Sequence, residues 1–134
     1  MKSPNILMGM SGNELTVKLA DFGTARILNE KLTGRFVDNP VWLAPEILLQ
    51  KPYNDKVDTY AFGVILWELL ARSDFFGDSA FLCEIEQKIT SGERPDIPEF
   101  SPLPYQELIN NCWHQNPEKR PLWKSTIADL EGLQ

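Results

Sequence analysis

Two oxygen-bearing side chains, Asn5 and Asp21, flank a stretch that reads as a tight hairpin, and they are the first chemical feature of the sequence. The runs 5–10 (NILMGM) and 15–20 (LTVKLA) are short and apolar, with Ser11-Gly12-Asn13-Glu14 between them. Gly and Asn tolerate the positive φ of a tight reversal, so the segment predicts two antiparallel strands. Asn5 enters the first strand and Asp21 leaves the second, which puts both at the open end of the hairpin. A carboxylate and an amide oxygen facing one small volume are hard ligands. They suit Mg²⁺, which takes one or two carboxylates together with substrate phosphates. The neutral amide matters, because further carboxylates there would repel a polyphosphate. Taken by itself, Asp-Phe-Gly (Asp21 to Gly23) is a weak signal, since such a tripeptide also serves as a turn after a strand.

The elements that must position these residues are mostly helical. Residues 24–43 show no sustained period and carry Gly34, Asp38, Asn39 and Pro40, which predicts a long loop of the kind that is often functional. Ala44-Pro45-Glu46 begins a short helical stretch ending near Lys51-Pro52. From Asp55 to Arg72, with Asn54 or Asp55 as cap, apolar residues from Val57 to Leu70 fall all round the helical wheel. Such a helix is central, with other elements packed on every side. Residues 79–91 and 105–113 read as amphipathic helices joined by the Pro-rich stretch 95–104, and 124–133 as a last one. The lone histidine, His114, falls in the loop after a helix. One hairpin and about five helices make a mainly helical α+β lobe.

Composition excludes several classes. The 134 residues are 43% hydrophobic and 24% charged, an ordinary globular balance. A net charge of -6 argues against nucleic acid as a partner, because tracking phosphates needs a positive excess. Cys83 and Cys112 are far apart with no C-x-x-C spacing, so neither a disulfide framework nor a zinc site is predicted. The longest apolar run, Ala61 to Trp67, is too short to span a bilayer, and the N-terminus lacks the apolar core of a secretory signal. These features predict a soluble, cytoplasmic domain with no membrane segment.

Five separated motifs then occur in order: K-S-P-N (Lys2 to Asn5), D-F-G (Asp21 to Gly23), W-L-A-P-E (Trp42 to Glu46), D-x-Y-A-F-G (Asp58 to Gly63) and C-W-x-x-N-P-x-x-R-P (Cys112 to Pro121). Together they resemble the C-terminal lobe of a eukaryotic protein kinase. More narrowly, they are similar to the tyrosine-kinase-like group of Ser/Thr kinases. The resemblance covers nearly the whole chain, so residues 1–134 are expected to be a partial kinase domain that lacks the N-terminal lobe.

The resemblance implies transfer of the ATP γ-phosphate to Ser or Thr hydroxyls of a protein substrate, with ATP and Mg²⁺ as cofactors. Asn5 matches the catalytic-loop ligand of one Mg²⁺, and Asp21 the aspartate that bridges metal and phosphates. Lys2 matches the lysine that meets the transferred phosphate. Leu7 matches the floor under adenine, with Ala20 at its edge. Phe22 is expected to pack inward and to report active or inactive states. Glu46 and Arg120 resemble the ion pair that ties the Ala-Pro-Glu segment to the last helices. Asp58 resembles the central-helix aspartate that accepts hydrogen bonds from the catalytic-loop backbone; first-turn dipole complementarity is its rival role. In the loop, Thr24 and Thr33 offer hydroxyls for phosphorylation, and Thr33 is the better candidate because Thr24 sits against the metal site.

The chain also departs from the pattern. Before Pro40 such kinases usually carry Gly-Thr, whereas here Asp38-Asn39 stands. The family motif H-R-D-x-x-x-x-N places its catalytic aspartate five residues before Asn5, that is, before Met1. The glycine-rich loop, the strand lysine and its helix glutamate are absent too. Met1 therefore reads as an internal methionine of a longer kinase, and the missing N-terminal lobe as a partner. Lys2 favours Ser/Thr over Tyr specificity. The rival reading is a non-catalytic binding or regulatory piece of a kinase, and bacterial aminoglycoside kinases are a third that lacks the Ala-Pro-Glu segment.

Overall fold

The computed structural model describes residues 1–27, 32–34 and 39–133. Its elements are a hairpin, β1 (Ile6–Ser11) and β2 (Glu14–Leu19), followed by α1 (Pro45–Leu48), α2 (Lys56–Ala71), α3 (Leu82–Ser91), α4 (Leu103–Cys112) and α5 (Trp123–Glu131). The described residues form a mainly helical α+β fold, one two-stranded hairpin followed by five helices.

The hairpin pairs Ile6 with Leu19, Met8 with Val17 and Met10 with Leu15. The two-residue turn Gly12-Asn13 closes it, with Gly12 at φ 62. Cross-strand partners share a face, so Ile6, Met8, Met10, Leu15, Val17 and Leu19 form one apolar side. All of these but Ile6 are more than half exposed.

Helix α2 is the axis of the lobe. Its start is set by Asn54, whose Oδ1 accepts from the Lys56 N–H at 3.1 Å, while the Asp55 side chain makes no cap bond. Thr59, Tyr60, Ala61, Gly63, Val64, Ile65 and Trp67 are buried along it. Trp67 and Phe75 meet edge-on at 5.6 Å, Phe75 reaches Trp113 at 6.0 Å, and the Trp67 indole donates to the Asp96 carbonyl at 2.9 Å.

Gly63 sets how closely α4 approaches α2. A Cβ there would lie 2.9 Å from both Cys112 Cβ and the Trp113 backbone nitrogen. Gly63→Ala should therefore destabilise the lobe by about 1–3 kcal/mol, although alanine is the better helix former. A urea midpoint that rises in the variant would contradict this packing account.

Arg120 joins the two ends of the helical layer. Its Nη1 and Nη2 donate to Glu46 Oε1 and Oε2 at 2.6 and 2.8 Å, a bidentate pair in which the Arg120 side chain is fully buried. The same guanidinium donates to the carbonyls of His114 at 2.8 Å and Lys56 at 3.0 Å. Arg120 and Arg94 each place a guanidinium 5.2 Å from the Tyr60 ring centroid. Burial pushes the Tyr60 phenol up to about 12, against the lowering fields of those two cations.

Candidate active site

The short turn Ser3–Asn5 carries the first site residues into β1. The Asn5 N–H donates to the Lys2 carbonyl at 3.0 Å, and the Ala20 N–H donates to the Asn5 carbonyl at 2.8 Å. That second bond ties the turn to the last position of the hairpin, so Asn5 and Asp21 are brought together at its mouth. Asn5 Nδ2 donates to Asp21 Oδ2 at 3.4 Å. Asp21 is left-handed, with φ 59, and its Oδ1 accepts from the Gly23 N–H at 3.2 Å. Aspartate and asparagine adopt that region more readily than most residues.

These groups line a cavity of about 390 Å³ together with Lys2, Trp42, Leu43 and Asp58. A larger groove of about 700 Å³, bounded by Arg94, Pro98 and Trp113, carries none of them. The Lys2 ammonium, the Asp21 carboxylate and the Asn5 amide can together bind a phosphate chain with its counter-cation, and Asp55 and Asp58 add two further carboxylates to the cavity wall. Among the described residues no three His, Cys, Asp or Glu side chains are grouped to hold a metal. The donor set fits Mg²⁺, whose remaining ligands come from water and phosphate.

The other sequence-predicted residues are placed as follows. Leu7 lies on the hairpin face opposite Met8 and is 56% exposed, and Ala20 is half-buried beside Asp21. Phe22 does not pack into the core; it lines the open cavity beside Asp21 and is 69% exposed. Asp58, in the first turn of α2, accepts from the Met1 amino nitrogen at 3.2 Å. Thr24 lines the cavity. Thr33 is exposed and lies next to Leu32, which pairs with Tyr53 through two 2.9 Å backbone bonds. Asp38 lies outside the described residues. Asn39 Oδ1 accepts from the Val41 N–H at 3.1 Å and so caps the short turn Pro40–Trp42.

One site contact is not foreseen from the sequence. Trp42 Nε1 donates to Glu68 Oε2 at 3.0 Å, with Ser3 a second donor near this carboxylate. Burial pushes the Glu68 carboxyl up from its ordinary value, against the lowering effect of these two donors. The available signal was Glu68 itself, the only charged residue between Asp58 and Arg72 in an otherwise apolar helix.

Comparison with known proteins bears on this arrangement. Residues 1–130 match the family model described as protein tyrosine and serine/threonine kinase. "Probable serine/threonine-protein kinase pats1" of Dictyostelium discoideum is 48% identical over 132 residues, covering 96% of this chain and 4% of that protein. "Probable serine/threonine-protein kinase roco9" of the same organism is 42% identical over 136 residues, covering 100% of the chain and 4% of that protein. "RGS domain-containing serine/threonine-protein kinase A", also from Dictyostelium discoideum, is 34% identical over 133 residues, or 99% of the chain and 12% of that protein. The chain thus spans only a small part of these relatives. With a match over nearly its whole length, the chain belongs to the protein tyrosine and serine/threonine kinase family.

Proposed function

We propose that residues 1–134 are a partial kinase domain that serves transfer of the ATP γ-phosphate to Ser or Thr hydroxyls of a protein substrate. The observation that carries this reading is the hairpin mouth. Asn5 and Asp21 meet there, beside Lys2, in the cavity that the 40–43 segment also lines. Asn5 and Asp21 would hold Mg²⁺, which when bound neutralises charge on the phosphates of ATP. Lys2 would meet the transferred phosphate, and Leu7 with Ala20 would form the floor and edge of the adenine site. Glu46 and Arg120 hold the segment that faces the protein substrate, and Asp58 steadies the turn ahead of β1. Phosphorylation of Thr33 would add charge to the exposed loop beside Leu32. The names of the relatives support Ser/Thr specificity, as does Lys2. No helix among the described residues is long and apolar enough to cross a membrane, and the proposed location is cytoplasmic.

The 134-residue chain alone should show no measurable kinase activity. Phosphoryl transfer depends on positioning and charge stabilisation. These residues supply a floor for adenine without a cover, and metal ligands without the matching catalytic aspartate. A radiolabelled-phosphate assay compares the chain with a version extended upstream through a nucleotide-covering lobe. Transfer by the extended version alone is the expected result, and comparable turnover by the short chain would sink the idea.

A second reading, a non-catalytic binding or regulatory piece, is favoured by one feature. The apolar hairpin face from Met8 to Leu19 is uncovered, as a docking surface would be. No transfer by either version would leave that reading standing.

A further inference from the structure

Strand β2 has one edge without a partner among the described residues. The sheet has two strands, and β1 takes the inner edge of β2. No helix makes more than a passing contact with either strand. Glu14, Leu15, Val17, Lys18 and Leu19 are exposed, and among the described residues neither Glu14 nor Lys18 makes an ion pair. A lone two-stranded hairpin is marginal in water and gains from further strands. Ladder geometry tells which backbone groups of β2 are free. With the two-residue turn Gly12-Asn13, Ser11 and Glu14 exchange backbone bonds, and every second pair after them does the same. The 2.8 Å bond from the Ala20 N–H to the Asn5 carbonyl continues that phase. Glu14, Thr16 and Lys18 therefore turn their N–H and C=O groups towards β1, and Leu15, Val17 and Leu19 turn theirs outward.

The strand, ELTVKL, is its own complement about Thr16. Laid antiparallel to a second copy with Thr16 opposite Thr16, Leu15 meets the second Val17 through the outward backbone groups, and Glu14 meets the second Lys18. The Glu14–Lys18 and Thr16–Thr16 pairs are then of the non-hydrogen-bonded kind, in which side chains come closest. Other registers lose this match. Centring on Leu15 sets Lys18 against Gly12, centring on Val17 sets it against Thr16, and centring on Lys18 puts like charges directly opposite. Strand β1 carries no charge and has Gly9 in its interior, which weakens it as an edge.

We propose that the chain associates with a second copy of itself by antiparallel pairing of β2 with β2 about a twofold axis at Thr16, giving a four-stranded sheet held in register by two Glu14–Lys18 pairs. The proposal does not depend on the kinase reading. At about 3.4 Å per residue, each Asp21 lies about 17 Å from the axis, at opposite ends of the shared sheet, so both hairpin mouths stay open.

Sedimentation velocity of the 134-residue chain over a range of concentrations tests this. The parent should sediment as a monomer–dimer equilibrium. Glu14→Lys and Lys18→Glu each set like charges opposite one another at both pairs, so either variant alone should dimerise at least about 10-fold more weakly. Mixed in equal amounts, the two variants should dimerise with each other, because every pair between them is again of opposite sign. The double variant Glu14→Lys/Lys18→Glu should dimerise as the parent does. Both positions are exposed, and thermal melting checks that each variant folds. Should a charge variant not fold, Val17→Pro removes an outward N–H from the exposed edge and should likewise prevent pairing. A parent that stays monomeric throughout overturns the proposal. So does a mixture of the two single variants that restores nothing. Association that both charge variants leave intact overturns it as well, and assigns the contact to the apolar face of the hairpin instead.

Discussion

Arg120→Ala should lower the thermal midpoint of this chain by about 10 °C or more, whereas Lys124→Ala should leave it nearly unchanged. The Arg120 side chain is enclosed and spends its donors on the Glu46 carboxylate and on the carbonyls of His114 and Lys56. Removing it strands an ionised group that is 6% exposed and leaves carbonyls without donors. Losing one side of a buried pair costs about 3–5 kcal/mol. That is a large part of the ~5–15 kcal/mol that stabilises an ordinary domain. Lysine at position 120 should recover little, since a single ammonium cannot reproduce the fork. Lys124 is exposed. Equal shifts for Arg120→Ala and Lys124→Ala in a thermal melt would remove the pair from the account of stability.

In the version extended through a covering lobe, Asp21→Asn should reduce Mg²⁺-dependent phosphoryl transfer by about 10³-fold or more. The substitution isolates charge from shape. Asparagine is at ease at φ 59, and its side-chain oxygen can still accept from the Gly23 N–H. Backbone and turn should therefore persist, while the anionic ligand between metal and phosphates is lost. Thermal melting of the variant beside the parent checks that the fold is retained. Retained transfer would show that the hairpin mouth is not where the cation acts.

The elements built from local pattern were legible in the sequence. The hairpin follows from two apolar runs around Gly12-Asn13, and α2 from apolar residues on every side of the wheel. Pairing of Asn5 with Asp21 followed from strand arithmetic alone. Matters settled by tertiary contact were harder to read. Composition could not choose between Asn54 and Asp55 as the cap of α2, because either side chain can reach a free N–H; the geometry selects Asn54. The helix read as 79–91 begins only at Leu82, since Phe81 is extended, at φ -131 and ψ 145, and forms its cap position. Phe22 looked like a core residue by type, yet it stands exposed on the cavity wall. The link from Trp42 to Glu68 spans 26 positions and has no periodic signature, so only the packed helix reveals it.

The Arg120–Glu46 contact joins residues 74 positions apart, which bears on how the lobe is made in a cell. At about 5–20 residues added per second, the glutamate emerges from the ribosome roughly 4–15 s before its arginine does. During that interval α1 and α2 can form from local sequence, but the carboxylate must stay hydrated. The apolar residues around it therefore cannot close fully over the site. Full burial of Glu46 must wait for a single guanidinium, which joins the early and late segments of the lobe.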